Sequence, residues 1–518
     1  MGYKRLGLGL IRRFLYSNVH TKNYCTNVTE MNSAKSVLPF NKVPGPSTLP
    51  VIGTLHHFLP GGSYNGLDLV DLGLKLYDDF GDIVNLKGML GKQDMVFLYD
   101  LDDFEKIYRT EGAWPERSTV ATREYYLKVR RPEVFKSVYG LIHSQGKEWQ
   151  DIRTAVNQIM MQMKTARQYV GWVDEIALDF IKRLETLLDS ERKVPKDFLY
   201  EMDRWSMESI ARIAIDTRLG CLDLHQPENA DGFRLIKSLS RYFDLAYQVE
   251  ILPSMWKYVS TPKFNEIMDI FDCFTEISIK HIQKAIKRLE ENPTIDESNL
   301  SVLEKLLKID PQIAIIMALD MFFAGVDTTS STSLSTLYFL SKNPDKQDRL
   351  REEVNSKFPR GSTLTAEGLN SLSYLKACIK ETQRLKPIAV GILRNTGADL
   401  VLGGYSVPKG TQVLMCHHLA ARVKKQFPDE HKYMPERWLR AGSEGFPSAQ
   451  CAHKFSYMPF GFGPRMCVGR RFAELEMEVL LTRIITKYRL HWTGPDMQYK
   501  STLITGPIGP FGLHLNPI

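Results

Sequence analysis

Ten residues, Phe460-Gly461-Phe462-Gly463-Pro464-Arg465-Met466-Cys467-Val468-Gly469, combine side chains that metal chemistry would use together. The lone cysteine stands just ahead of a periodic apolar run from about Arg470 to Tyr488, read as an amphipathic helix. A helix start offers free N–H groups and the positive end of the macrodipole, both of which favour a thiolate. Gly463 and Gly469 would let the backbone pass close to a planar ligand. Neighbouring N–H groups would temper the sulfur charge and, through it, a metal's potential. Arg465 could pair with a carboxylate on such a ligand. An isolated cysteine after a glycine-rich turn is more often a buried structural thiol, and it is the complete pattern that favours the ligand.

Four further constellations accompany it. Ala324-Gly325-Val326-Asp327-Thr328-Thr329 sets a carboxyl beside a hydroxyl, which in a helix is more often a local hydrogen-bonding feature. Trp149 and Arg153 are four apart and share one helical face. Glu381 and Arg384 lie about one turn apart and could pair, an interaction worth little on a surface. Lys376 and Lys380 share a face as well, and spacing alone favours a solvated basic stripe.

The elements that must position these residues read as mainly helical. Asp310 can cap a long helix with Pro311 in its first turn, and an apolar run from Ile313 to Phe323 follows. Its second half carries the consecutive hydroxyls Thr328 to Ser333, which can compete for backbone carbonyls and bend the ladder. Gly325, one turn earlier, would open a groove for something flat. Ile83 to Lys87 and Met95 to Tyr99 read as short strands around Gly88 to Gly91, and Leu400 to Cys416 as a small meander. Val43-Pro44-Gly45-Pro46 cannot continue a helix and marks the entry to the folded domain.

Composition sets the outer bounds. The 518 residues are 43% hydrophobic and 25% charged, an ordinary globular balance. A net charge of +7 is scattered and lacks the dense basic stripe with aromatics that a nucleic-acid site uses, so no nucleic-acid partner is expected. Seven cysteines, an odd number set far apart, suggest a reducing compartment. No run of consecutive apolar residues is long enough to span a membrane, so any membrane contact should be peripheral. The first 29 residues are basic, free of acids and amphipathic, the composition of a mitochondrial transit peptide.

The loop at Phe460 to Gly469 resembles the haem-binding loop of the cytochrome P-450 family, with Cys467 in the position of the proximal iron ligand. The resemblance implies a mainly α fold, one large domain over 36–518 after a transit peptide of about 1–35, with small sheets. Haem b would sit between the long central helix and the cysteine loop. Phe460 is a haem-contacting position, and Trp149, Arg153, Arg394 and Arg465 would serve the propionates. Thr328 would hold dioxygen and its water while Asp327 feeds protons inward. Glu381, Arg384 and Arg437 would form a buried structural network, costly to break from one side.

Similarity is greatest to the mitochondrial branch, especially its insect members, in Gly146 to Thr165, Trp205 to Leu222 and the lysine pair. In that branch Lys376 and Lys380, with Arg470 and Arg471, would dock an acidic ferredoxin, supplied with electrons from NADPH by its reductase. The implied protein lies on the matrix side of the inner mitochondrial membrane, attached peripherally, and inserts one atom of O2 into a small hydrophobic substrate. Overall resemblance leans toward a xenobiotic over an ecdysteroid or sterol. Thr119 to Ser144 and Tyr242 to Lys263 would shape the pocket, although amphipathic packing explains the latter equally well. Two other readings stand beside this one. A peroxide-rearranging thiolate-haem isomerase would have no need of Asp327 and Thr328, and a haem-binding or sensing protein would show ligand spectra without turnover.

Overall fold

In the computed structural model of the chain the described residues are 36–88, 93–291, 300–440 and 445–518. The expected transit segment and most of the turn expected at Gly88 to Gly91 lie outside them. The chain divides into two compact units, each assembled from separate stretches. A sheet-bearing unit takes the chain up to Ser118, Gln383–Met466 and Ser501–Thr505. A helical unit takes Thr119–Thr382, Cys467–Lys500 and Gly506–Ile518.

In the sheet-bearing unit four strands lie in the order Ile83–Leu86, Met95–Leu98, Gln412–Met415, Ile392–Asn395. The middle pair is parallel and the outer pairs antiparallel. Alternation assigns their side chains to two faces. Val84, Phe97 and Leu414 pack into one apolar cluster, while Ile83, Val96, Leu98, Val413 and Met415 pack into another. A sheet covered on both faces needs such continuously apolar strands.

The two early strands fall where the sequence puts them. The entry segment is pinned to one of them, since Asn85 N–H donates to Pro44 O at 2.8 Å. A Cβ on Gly45 would come within 2.1 Å of Asn85 O, so only glycine fits there. The expected meander is corrected. Leu400–Leu402 pairs with Tyr405–Val407 beside Leu38–Pro39, whereas Gln412–Met415 leaves for the four-stranded sheet. Gly410, with φ of +82°, turns the chain away, and a strand buried at all four positions is best paired along both edges.

In the helical unit Asp310 caps the helix Pro311–Lys342, accepting from the N–H groups of Gln312 and Ile313 at 2.6 and 3.4 Å. This 32-residue helix is buried around most of its circumference. By length and composition it passes as a membrane span, with a mean hydropathy of 1.5 in its most apolar window, yet 67% of that window is buried inside the protein. A core helix is apolar all round for the same reason as a membrane helix, and the hydroxyls that interrupt the run hide it from a search for consecutive apolar residues.

Those hydroxyls do bond back along the helix. Thr328, Thr332 and Ser335 donate to the carbonyls of Ala324, Thr328 and Ser331, each at 2.7 Å, and the segment remains helical throughout. Gly325 does not open a groove. A Cβ there would meet Ile210 Cγ1 and Cδ1 at 3.1 Å, so the glycine serves close packing against the helix Phe198–Ala214. The run after Cys467 forms the helix Arg470–Lys487, but it is not amphipathic. Burial extends to Glu476, Glu478 and Thr482 among its apolar residues, as in a core helix.

Replacing Asp310 with Ala orphans the N–H groups at the start of the core helix and should cost about 1 kcal/mol. Chemical unfolding of the variant would read this as a lower midpoint, and an unchanged midpoint would contradict the capping role.

Candidate functional site

Cys467 follows a turn in which Gly461 and Gly463 take φ of +73° and +71°, the left-handed region open to glycine. The N–H groups of Gly469 and Arg470, at the start of Arg470–Lys487, bond to its sulfur. The residue is exposed by surface area although protein surrounds it densely, so the thiol is recessed. Burial raises its pKa; the Gly469 donor, Arg153 and Arg470 pull the other way and lose. The thiolate expected from the helix start is thus favoured by local donors but outweighed by desolvation.

Arg153 sits on the helix Gly146–Met160 one turn after Trp149, and both are buried. Desolvation lowers the Arg153 pKa while the nearby Cys467 raises it. Its Nε has no hydrogen-bond partner. A buried unpaired donor is costly to leave unmet, and here it marks a place for an acceptor. Among the described residues no three His, Cys, Asp or Glu gather as a metal site. A metal on the Cys467 sulfur must therefore bring most of its own ligands, as haem iron does. The sulfur and the orphaned guanidinium N–H together fit a haem and its carboxylate.

In the sheet-bearing unit Arg394 and Arg465 converge on Glu111, a residue that sequence reasoning missed. Arg394 Nε donates to Glu111 Oε2 at 2.6 Å and its Nη1 to Leu393 O at 3.0 Å. Arg465 Nε donates to Pro115 O at 2.5 Å, and its charge lowers the Glu111 pKa, as does that of Arg394. Burial nonetheless keeps that pKa raised. The expected propionate partners thus spend part of their donor capacity on the protein. A signal existed: Glu111 terminates the helix Leu101–Thr110, where the dipole disfavours an anion and calls for cations.

Phe460 is half-buried in the turn ahead of Gly461. Arg384 and Arg437 are fully buried and share one stretch of chain. Arg384 donates to the carbonyls of Ala421 and Glu430 at 3.2 and 2.9 Å, Arg437 to that of Pro428 at 3.2 Å, and both lie over the Phe427 ring. Glu381, one turn before Arg384 on the helix Ser373–Leu385, is also fully buried.

Asp327 and Thr328 are neighbours in sequence but not in bonding, because one residue turns a helix by about 100°. The Thr328 hydroxyl donates to Ala324 O, whereas the Asp327 carboxyl meets Asp203 of the helix Phe198–Ala214. Sequence reasoning stopped just short of Asp203, at Trp205. Ser330 Oγ donates to Asp203 Oδ1 at 2.5 Å. Burial lifts the Asp203 carboxyl to about 7, and burial followed by the Asp203 charge lifts Asp327 well above the usual carboxylate range.

The basic residues also gather. Lys380 is exposed, and its pKa is lowered first by desolvation and then by the positive charge of Arg470 and Lys376, opposed by Glu474. Arg470 and Arg471 both pair with Glu474, at 2.8 and 3.6 Å, so part of the expected basic surface is neutralised.

A largely helical chain with a recessed cysteine at a helix start, and a core helix carrying Asp327 and Thr328, defines a haem-thiolate class of oxidoreductase. Comparison with known proteins makes this specific. The cytochrome P450 family pattern matches residues 43–513, and the chain belongs to that family of haem-thiolate monooxygenases. It is 40% identical to the mitochondrial cytochrome P450 12b1 of Drosophila acanthoptera over 91% of this chain and 88% of that one. It is 39% identical to the cytochrome P450 CYP12A2 of Musca domestica, covering 93% of each. The crystal structure of the cytochrome P450DA heme domain superposes with a TM-score of 0.73 at 19% identity, covering 93% of this chain and 99% of that one, which shows a common fold.

Truncating Glu111 to Ala would leave the buried Arg394 without its carboxylate and should cost about 3–5 kcal/mol. The double change Glu111→Leu with Arg394→Met should cost clearly less. Equal losses in the two unfolding curves would contradict a buried pair.

Proposed function

We propose that this monooxygenase works in the mitochondrial matrix, takes electrons from NADPH through a ferredoxin reductase and a ferredoxin, and oxidises a small hydrophobic substrate of xenobiotic type. The observation that carries the reading is the recessed Cys467 sulfur, held by two helix-start N–H groups beside an Arg153 whose Nε lacks a partner. Relatives named as mitochondrial support the compartment.

Cys467 would hold the iron, and haem supplies oxygen activation when bound. Arg153 and Trp149 would take one propionate, and Arg394 and Arg465 the other once their hold on Glu111 relaxes; Phe460 would pack against the ring. Glu381, Arg384 and Arg437 would keep this region assembled. Thr328 would orient a water through its hydroxyl, and Asp327 would pass protons toward it from the interior. Aromatic packing of Tyr242 on Phe323 and Phe271 supports an apolar lining. Exposed Met255, Tyr258 and Val259 in the adjoining segment support peripheral contact with the inner membrane. Lys376, Lys380, Arg470 and Arg471 would dock the acidic ferredoxin, steering it by charge.

Reduced protein with CO should show the long-wavelength absorption of thiolate ligation, and Cys467→Ala should lose it. Lys376→Ala with Lys380→Ala should raise the KM for ferredoxin several-fold at low salt, with the difference shrinking as salt rises. A ligand spectrum that survives Cys467→Ala, or turnover sustained by a peroxide substrate without reductant, would overturn the reading.

A further inference from the structure

Asp203 belongs to none of the positions the family resemblance assigns, yet it is a buried carboxyl set against another carboxyl. It projects from Phe198–Ala214, which packs along the core helix with Ile210 against Gly325. Ser330 ties the arrangement together, donating to Asp203 Oδ1 at 2.5 Å and lying 3.3 Å from the carbonyl of Asp327.

No cation relieves the pair. The influences on the two carboxyls are burial, Ser330 and each other. The charged groups on the surrounding elements are engaged elsewhere: Glu201 with Arg183, Glu208 with Arg218, Asp320 with Arg123, and Glu304 with Arg288. A buried carboxyl against a half-buried one, with no counter-ion among the described residues, cannot stay ionised together with it at low cost.

We propose that Asp203 is a positioning residue for proton supply: it shares one proton with Asp327 and restores a proton to Asp327 after Asp327 has given one up toward Thr328. This deepens, and rests on, the delivery role proposed above for Asp327. The step moves a proton alone. Once Asp327 has passed on the shared proton, water protonates the Asp203 carboxylate, and that Asp203 O–H bond then breaks as the Asp327 O–H bond forms, leaving Asp203 ionised as before; the residue keeps 8% of its surface open. Ser330, bonded to Asp203, holds that carboxyl in register with Asp327 while the charge moves.

Stability carries the same signature, and its sign is fixed. Folding lifts Asp203 from an ordinary 3.8 to about 7, so the native state keeps a proton that the unfolded chain has released. The contribution is fully present below the unfolded value and is lost as pH rises through the folded one.

The test uses haem-loaded full-length protein with Asp203→Asn, Asp203→Glu and Asp327→Asn. Infrared titration of the wild type should show a protonated carboxyl band fading near neutral pH. Asp203→Asn should move that midpoint down by a pH unit or more, whereas Asp203→Glu should keep it close to wild type. Asp203→Asn should also melt higher than wild type at about pH 8, with the gap closing toward about pH 4. A band and melting curve unchanged by Asp203→Asn would overturn the shared proton. Peroxide released per NADPH consumed, between about pH 6 and 8, reads the supply role. It should rise several-fold in Asp203→Asn and Asp327→Asn and stay near wild type in Asp203→Glu. A rise in Asp327→Asn alone would overturn the part given to Asp203, and a rise in neither would overturn the delivery reading on which it rests.

Discussion

Polar groups carried into the core on a long helix are costly unless they find partners there, and much of the helical unit is arranged around that demand. Pro311–Lys342 takes the buried Asp320, the half-buried Asp327 and a run of hydroxyls into the helical unit. Thr328, Thr332, Ser335 and Thr336 are met within the helix by the carbonyls one turn back, and Ser330 is met by Asp203. The carboxyls have no such recourse, because an acid can be quieted only by a donor, a cation or a proton. Asp320 finds a cation in Arg123, itself buried and stacked near Phe323. Asp327 finds another acid, so a proton is left as the agent that keeps the pair compatible with burial.

The sheet-bearing unit meets buried charge in a different way. There the buried groups are mainly guanidinium, which can bond several acceptors in a fixed plane and stack on rings. Carbonyls from the stretch after Ala421 and the Phe427 ring receive Arg384 and Arg437. Arg394 uses a carboxylate, Glu111, and stays bonded through Nε and Nη1. Rigid scaffolds of this kind fix backbone that lacks regular structure, and the turn at Gly461 and Gly463 belongs to such a stretch.

What the sequence disclosed follows from how local each feature is. The Asp310 cap, the first two strands and the Trp149–Arg153 face are decided within a few residues, so spacing and residue type were enough. Glu111 and Asp203 were not legible in that way, because their partners lie 283 and 127 residues distant along the chain. Gly325 was misread because a missing side chain says only that something comes close, and the neighbour turned out to be Ile210. The helix after Cys467 was read as amphipathic from its periodic apolar run, yet Glu476 and Glu478 are buried with raised pKa values. Residue type signals exposure only on average, and a core helix with neutral acids defeats it.

The basic cluster shows why a feature that weakens a fold can still be informative. Lys380 carries its charge beside those of Arg470 and Lys376, and their repulsion, together with desolvation, lowers its pKa. Like charges held together in this way destabilise the compact state. Glu474 offsets part of the repulsion by pairing with Arg470 and Arg471, and Glu478 stands 4.0 Å from Lys376. Glu474 also acts on Lys380, which remains exposed. Under the docking role we propose, an acidic partner would add counter-charge to this cluster, and part of the strain in the free protein would become attraction in the encounter.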